Sequence, residues 1–196
     1  MWPAISDLGD AALTLPLAIV CCAWLSVSLS GWRAALVWLT PLAAGMLMVG
    51  VTKILYAGCG VQFPSIGFRV ISGHTMLASA VWPMAFLIAL RSGSDSAASS
   101  GTRIALMIGL GLAALIGTAR VFDKAHTLSE VIAGWTLGMV VTLLFVSWKE
   151  TPLLSSRLRP YAIASLVAVS AAAYGHHAPI QDAIDNYSPF LCQRFL

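Results

Sequence analysis

The sequence predicts an all-α integral membrane bundle of six transmembrane helices, and three observations predict it. Of 196 residues, 59% are hydrophobic and only 10% are charged, against about 25% charged in an ordinary water-soluble domain. The mean hydropathy of +0.86 excludes the disordered class, whose chains lack apolar surface to bury. The apolar residues also gather into runs near the roughly 20 residues that a hydrocarbon core of about 30 Å requires. Backbone groups in lipid must be satisfied within their own segment, so each run reads as a helix. The length suits a single domain, 1–196, with no repeat and no separate soluble unit.

The runs follow in order. The first covers roughly 11–30 and breaks at Ser30-Gly31-Trp32-Arg33; the second covers 34–56. The third, 72–90, is followed by Ser92-Gly93-Ser94-Asp95 and a Ser/Ala stretch that reads as a linker to the fourth, 103–122. The fifth, 127–148, ends at Glu150-Thr151-Pro152, and the sixth covers 159–175. Ahead of the first run stand Asp7 and Asp10 with no Lys or Arg, unlike a secretory signal peptide. His176-His177 with Asp182 and Asp185 reads as a solvated tail rather than a metal site.

A net charge of +3 with scattered basic residues excludes a nucleic-acid partner. The odd-numbered loops hold Arg33, Arg91, Arg103, Lys149, Arg157 and Arg159; the other side holds Lys53, Arg69, Arg120, Lys124 and Arg194. If Lys53, Arg69 and Arg120 belong to a binding site, the balance is six against two, which puts the odd loops in the cytoplasm and both termini outside. Trp32 and Trp148 then lie at the inner boundary. Cys21 and Cys22 read as small membrane residues. Cys59 and Cys192 fall outside, where disulfides are permitted, and a bridge between them is expected.

The even-numbered side gathers the chemistry. Lys53 ends the second run, Arg69-Val70-Ile71-Ser72-Gly73-His74 opens the third, Arg120 ends the fourth, and His126 to Glu130 opens the fifth. Ionisable residues at membrane helix ends are functional candidates, and this cationic, histidine-bearing set suits an anionic ligand. His126 and Glu130 are four apart, so on a helix the carboxylate can reach one imidazole nitrogen and leave the other as nucleophile or base. His74 could protonate a leaving oxygen. Lys53, Arg120, Ser72 and the Gly73 amide could neutralise a phosphoryl group; no metal or cofactor is needed. Simpler readings stand beside these. Thr127-Leu128-Ser129-Glu130 also fits a capping box, and Ser72 also fits an N-cap.

Ser72-Gly73-His74 and Arg120-x5-His126-x3-Glu130 resemble the second and third motifs of the type 2 phosphatidic acid phosphatases (PAP2), membrane relatives of the vanadium haloperoxidases. The resemblance covers Lys53 to Val131. It implies a haloperoxidase-like helical core, a phosphohistidine on His126, general acid catalysis by His74, and orientation of His126 by Glu130. It also implies phosphate binding by Lys53, Arg120, Ser72 and Gly73. Four positions depart from the motifs: Gly60 stands where the first motif has arginine, Ile71 where the second has proline, Ala119 where the third has serine, and Glu130 where it has aspartate. Arg69 is the nearest unassigned cation and a candidate for the missing arginine. The expected activity is hydrolysis of a lipid phosphate or pyrophosphate, with polyprenyl pyrophosphate, phosphatidylglycerol phosphate, phosphatidate and lipid A phosphates as candidates. The expected partners are that substrate and the surrounding membrane lipids. The expected address is a bacterial inner membrane with the site facing the periplasm. A lipid phosphotransferase, or a non-catalytic anion-binding or transport protein, would use the same pocket.

Overall fold

The structure, a computed structural model, describes residues 1–91, 95–148 and 154–188. Among the described residues it is 80% helix and has no strands. In chain order the described helices are α1 (Trp2–Ser6), α2 (Ala11–Val27), α3 (Trp32–Cys59), α4 (Gly73–Leu90), α5 (Asp95–Phe122), α6 (Leu128–Ser147), α7 (Arg159–Ala173) and α8 (Ile180–Tyr187). Each expected run is a helix, and four to five of the six pass as spans by length and composition. Four helices (α3, α4, α6 and the Ser100–Phe122 part of α5) are long and apolar enough to cross a membrane, and α1 with α2, bent by 40°, makes up to a fifth. The sixth falls short because α7 has 15 residues, a rise of about 22 Å against a core of about 30 Å.

One expectation is corrected. The Ser/Ala stretch is not a linker, since α5 begins at Asp95; alanine is the strongest helix former and serine a tolerated one, so nothing there stops the helix. In the stretch after α7, His176, His177 and Asp182 are exposed, in keeping with a solvated tail. The stretch forms α8, and Ser188 at its end is buried, with its carbonyl close to Gly58.

α4 is the axis of the bundle: 67% of its span is buried, against 33–39% in α3, α5 and α6. Its neighbours approach closely because they present glycine, as small residues allow in lipid. Gly109 of α5 lies on the Pro83 backbone, while Gly134 and Gly138 of α6 lie on the Ser72 and Met76 carbonyls. A Cβ at 134 or 138 would overlap backbone atoms of α4. The Thr142 hydroxyl adds a 2.8 Å hydrogen bond to the Ser79 carbonyl. Leu17, Trp38, Leu42, Met76, Met84 and Phe145 fill the core, whereas Ile19, Leu47, Met107, Leu144 and Val167 are more than half exposed. An apolar exterior of this kind fits a protein surrounded by lipid.

Two connections position the site. α3 stops at Gly60, whose φ of 66° is left-handed; the Gly60 amide donates to the Tyr56 carbonyl at 2.9 Å and the Val61 amide to the Leu55 carbonyl at 3.2 Å. The bond from the Gly60 amide four residues back marks an αL ending, which favours glycine. The loop that follows pairs Phe63 with Phe68 and is pinned at both ends. Thr127 donates to the Gly67 carbonyl at 2.8 Å, and the Ile71 amide donates to the Thr52 hydroxyl at 3.1 Å. Arg69 is thereby held beside the start of α6. At the opposite end of the bundle, Trp32, Arg33 and Trp148 line one shallow pocket, and Arg159 donates to the Arg91 carbonyl at 2.7 Å. Cys59 is disulfide-bonded and Cys21 and Cys22 are free thiols; Cys192, its expected partner, lies outside the described residues.

Candidate active site

The last turns of α3 and α5, the first turn of α4 and the loops before α4 and α6 enclose a cavity of about 430 Å³. Five expected residues line it: Lys53, Arg69, His74, Arg120 and His126. Glu130 stands behind His126 with no exposed surface. Ser72 and Gly73 are not among the lining residues. The Ser72 hydroxyl is buried and shares a 2.9 Å hydrogen bond with Thr75, and the Ser72 amide donates to the Glu130 carbonyl at 3.1 Å. Ser72 thus ties the start of α4 to α6, while Gly73 is the first residue of α4.

Backbone geometry couples Arg120 to His126. After α5 the chain turns through Lys124, at a left-handed φ of 56°, which is uncommon outside glycine. The Ala125 and His126 amides then return to the Arg120 carbonyl at 3.1 and 3.2 Å. Next, Thr127 caps α6 in a reciprocal box with Glu130, and the same carboxylate reaches His126. One oxygen of Glu130 accepts from His126 Nδ1 at 2.8 Å and from the Thr127 amide at 3.1 Å. The other accepts from the Arg69 amide and Nε, both at 3.0 Å, and from the Val70 amide at 3.4 Å. Glutamate's extra methylene lets one carboxylate serve the histidine and the loop together.

A carboxylate on Nδ1 makes that nitrogen the donor and leaves the lone pair on Nε2. Burial, with the charges of Arg120 and Lys53, pushes the His126 pKa down to about 4 despite the Glu130 hydrogen bond. The ring is therefore neutral at pH 7. Free imidazole protonates near 6.5, so folding works against the proton and stability falls as pH drops from about 6.5 towards 4. In ¹⁵N-histidine NMR of the protein in detergent, His126 is expected to stay neutral at pH 5.5 with its midpoint near 4; a midpoint above 6 would contradict the burial argument.

The cations are held by separate partners. Arg69 is ion-paired to Glu130, which raises its pKa, and its guanidinium carbon lies 5.9 Å from the Tyr56 ring centroid. Arg120 Nη1 donates to the Ser6 hydroxyl at 3.0 Å, while its Nε is buried with no protein partner among the described residues. Three cations around one cavity suit a multiply charged anion. His74 Nε2 lies 3.4 Å from Asp10 Oδ2, a contact the sequence analysis missed along with Ser6 and Tyr56. The available signal was an aspartate just before an apolar run, which by itself reads as a helix cap.

The PAP2 superfamily profile matches residues 54–153, about half of the chain; the match includes Arg69, His74, Arg120 and His126 and begins one residue after Lys53. A protein of Klebsiella pneumoniae, described as an uncharacterized 22.5 kDa protein in the cps region, is 35% identical over 155 residues, covering 77% of this chain and 71% of that protein. No solved structure matches the chain.

Proposed function

Because the chain belongs to the PAP2 superfamily, whose members are phosphatases, we propose that it is a membrane phosphatase acting on a lipid phosphate or pyrophosphate through a phosphohistidine on His126. The observation that carries the reading is His126, oriented by a buried carboxylate at 2.8 Å beside a cavity that also holds Lys53, Arg69, Arg120 and His74. In the proposed reaction Nε2 attacks phosphorus in line and the P–O bond to the leaving group breaks. The departing oxygen takes the bond's electron pair and a proton from His74. Water, deprotonated by the now neutral His74, then cleaves the N–P bond and releases phosphate. Arg120, Lys53 and Arg69 neutralise the three non-bridging oxygens. Arg69 supplies the arginine absent at Gly60.

The lipid assignment is supported by position. The lining residues sit at helix ends or in adjoining loops, at one end of a bundle with an apolar exterior. We read the bundle as six crossings. α7 supports this by reaching from Arg91 at one end to the Ala4 carbonyl, which Tyr174 contacts at 3.0 Å, at the other. The oxidised state of Cys59, one turn beyond the cavity-lining Tyr56 and Ala57, supports a site outside the cytoplasm, as does the lysine and arginine count. A bacterial inner membrane with a periplasmic site is the reading that joins these.

The test offers the purified chain, in detergent, phosphatidate, phosphatidylglycerol phosphate, a polyprenyl pyrophosphate and lipid A. Phosphate release is measured with and without an acceptor lipid. Hydrolysis of at least one lipid, with acid-labile phosphate recovered on His126, is the expected result. Release only in the presence of acceptor would make the protein a phosphotransferase. No release or transfer under any condition would move the reading to anion binding or transport.

A further inference from the structure

Asp10 occupies the break between the Asp7–Gly9 turn and α2, and its two oxygens do different jobs. Oδ1 accepts from the Ala12 amide at 2.8 Å and the Ala178 amide at 3.0 Å, which fixes the carboxyl group in place. Oδ2 is directed at two imidazoles: His74 Nε2 at 3.4 Å and His177 Nδ1 at 3.5 Å. The residue is 6% exposed. A helix cap alone does not call for this, because serine, threonine or asparagine caps as well as aspartate without burying a charge. Of the two imidazoles, that of His177 is 69% exposed and that of His74 only 25%, so the screened contact with His177 contributes little. Burial disfavours an imidazolium at His74, and so do the charges of Arg120 and Lys53. Asp10 supplies the negative charge that favours it.

We infer that Asp10 is the positioning residue for His74: it accepts from Nε2–H, fixes the ring plane, and stabilises the imidazolium whose other nitrogen donates to the leaving oxygen. The inference rests on the phosphatase reading and names a residue outside the stretch matched by the superfamily. In the balanced step, the P–O electron pair moves to the leaving oxygen, the His74 proton follows, and Asp10 stays ionised throughout. The same N-terminal segment also bonds Arg120 through Ser6. It therefore supports a phosphate-facing cation and the proton donor together.

The test compares wild type, Asp10→Asn and His74→Ala, as full-length protein in detergent, on two substrates. One is the lipid phosphate found active above, whose alkoxide leaves poorly without a proton; the other is p-nitrophenyl phosphate, whose phenolate needs none. Asparagine preserves the cap and the acceptor at Oδ1, and Asp10→Ser serves as a second variant that caps α2 without an atom at the Oδ2 position. Both are expected to lose about 10–100-fold in kcat on the lipid, with KM within about twofold, and less than about threefold on the aryl ester. His74→Ala should show the same selectivity with a larger loss. Equal losses on both substrates, or no loss, in the Asp10 variants beside a selective His74→Ala would overturn the inference alone. A wild type inert towards both substrates would overturn the phosphatase reading and this inference with it.

Discussion

His126→Ala is expected to lower phosphate release from the preferred lipid by more than about a hundredfold and to abolish phosphate trapping on the protein. Under the proposed mechanism the reacting atom is gone, and no other imidazole is free to replace it: the remaining charged side chains around the cavity are the cations Lys53, Arg69 and Arg120, and His74 faces Asp10. The loss should fall on kcat rather than KM, because the cations that bind phosphate remain. Folding should survive. Glu130 keeps its bonds to the Arg69, Val70 and Thr127 amides and to the Arg69 side chain, so the lost contact costs about 1 kcal/mol. The result that would sink the nucleophile assignment is a folded variant with unchanged single-turnover phosphorylation.

Glu130→Gln carries the second large effect, by a different route. The Thr127 hydroxyl still accepts from the amide of residue 130, so α6 keeps that half of its capping box. A glutamine can accept from the loop amides with its oxygen, but its NH₂ then faces both His126 Nδ1 and the Thr127 amide, which loses its acceptor. To accept from that NH₂, the ring must move its proton to Nε2, which removes the lone pair from the proposed attacking atom. Mis-set tautomers of this kind cost about four orders of magnitude in a serine protease triad; a loss of roughly 10²–10⁴-fold in kcat is expected here. The side chain of Arg69 is 38% exposed, so it turns towards solvent rather than remaining as an unpaired buried charge. The stability cost is therefore that of one weakened hydrogen-bond set, about 1–3 kcal/mol, readable as a lower midpoint of thermal unfolding. Glu130→Asp separates the two duties. The shorter arm keeps the charge for His126 and gives up Arg69, so it should retain more activity than Glu130→Gln. Activity of Glu130→Gln within about tenfold of wild type would remove Glu130 from the mechanism.

The parts of the site visible in the sequence were those set by local helix geometry. His126 and Glu130 are one helical turn apart, and their contact follows from that spacing alone. The helix positions followed from apolar length, but their ends did not. Asp95 starts α5 early because a Ser/Ala stretch carries no stop signal, and α7 is too short to count as a span on its own. Arg69 could be named as a candidate cation, yet its pairing with Glu130 depends on a loop pinned by Gly67, Thr52 and Thr127, contacts distant in sequence. Ser72 was expected to face phosphate. Which way a capping hydroxyl turns depends on its surroundings, and here it turns to Thr75. Asp10 lies 64 residues before His74, and no spacing rule connects them.

The glycine contacts between α4 and α6 have a consequence for motion. His74 rides on the first turn of α4, and His126 precedes α6 by two residues; behind them Gly134 and Gly138 bring the two backbones together without side chains between. Close-packed helices do not slide or rotate by small amounts without overlap, so the separation of the two imidazoles is set when the bundle assembles. Any breathing of the cavity falls instead to its other wall, the 60–72 loop and the end of α3. In the proposed reaction the two rings would start from a set separation, and the loop before α4, bonded to Thr52, Thr127 and Glu130, opens only by breaking those bonds. Hydrogen exchange should accordingly be faster at amides of that loop than at those of α4.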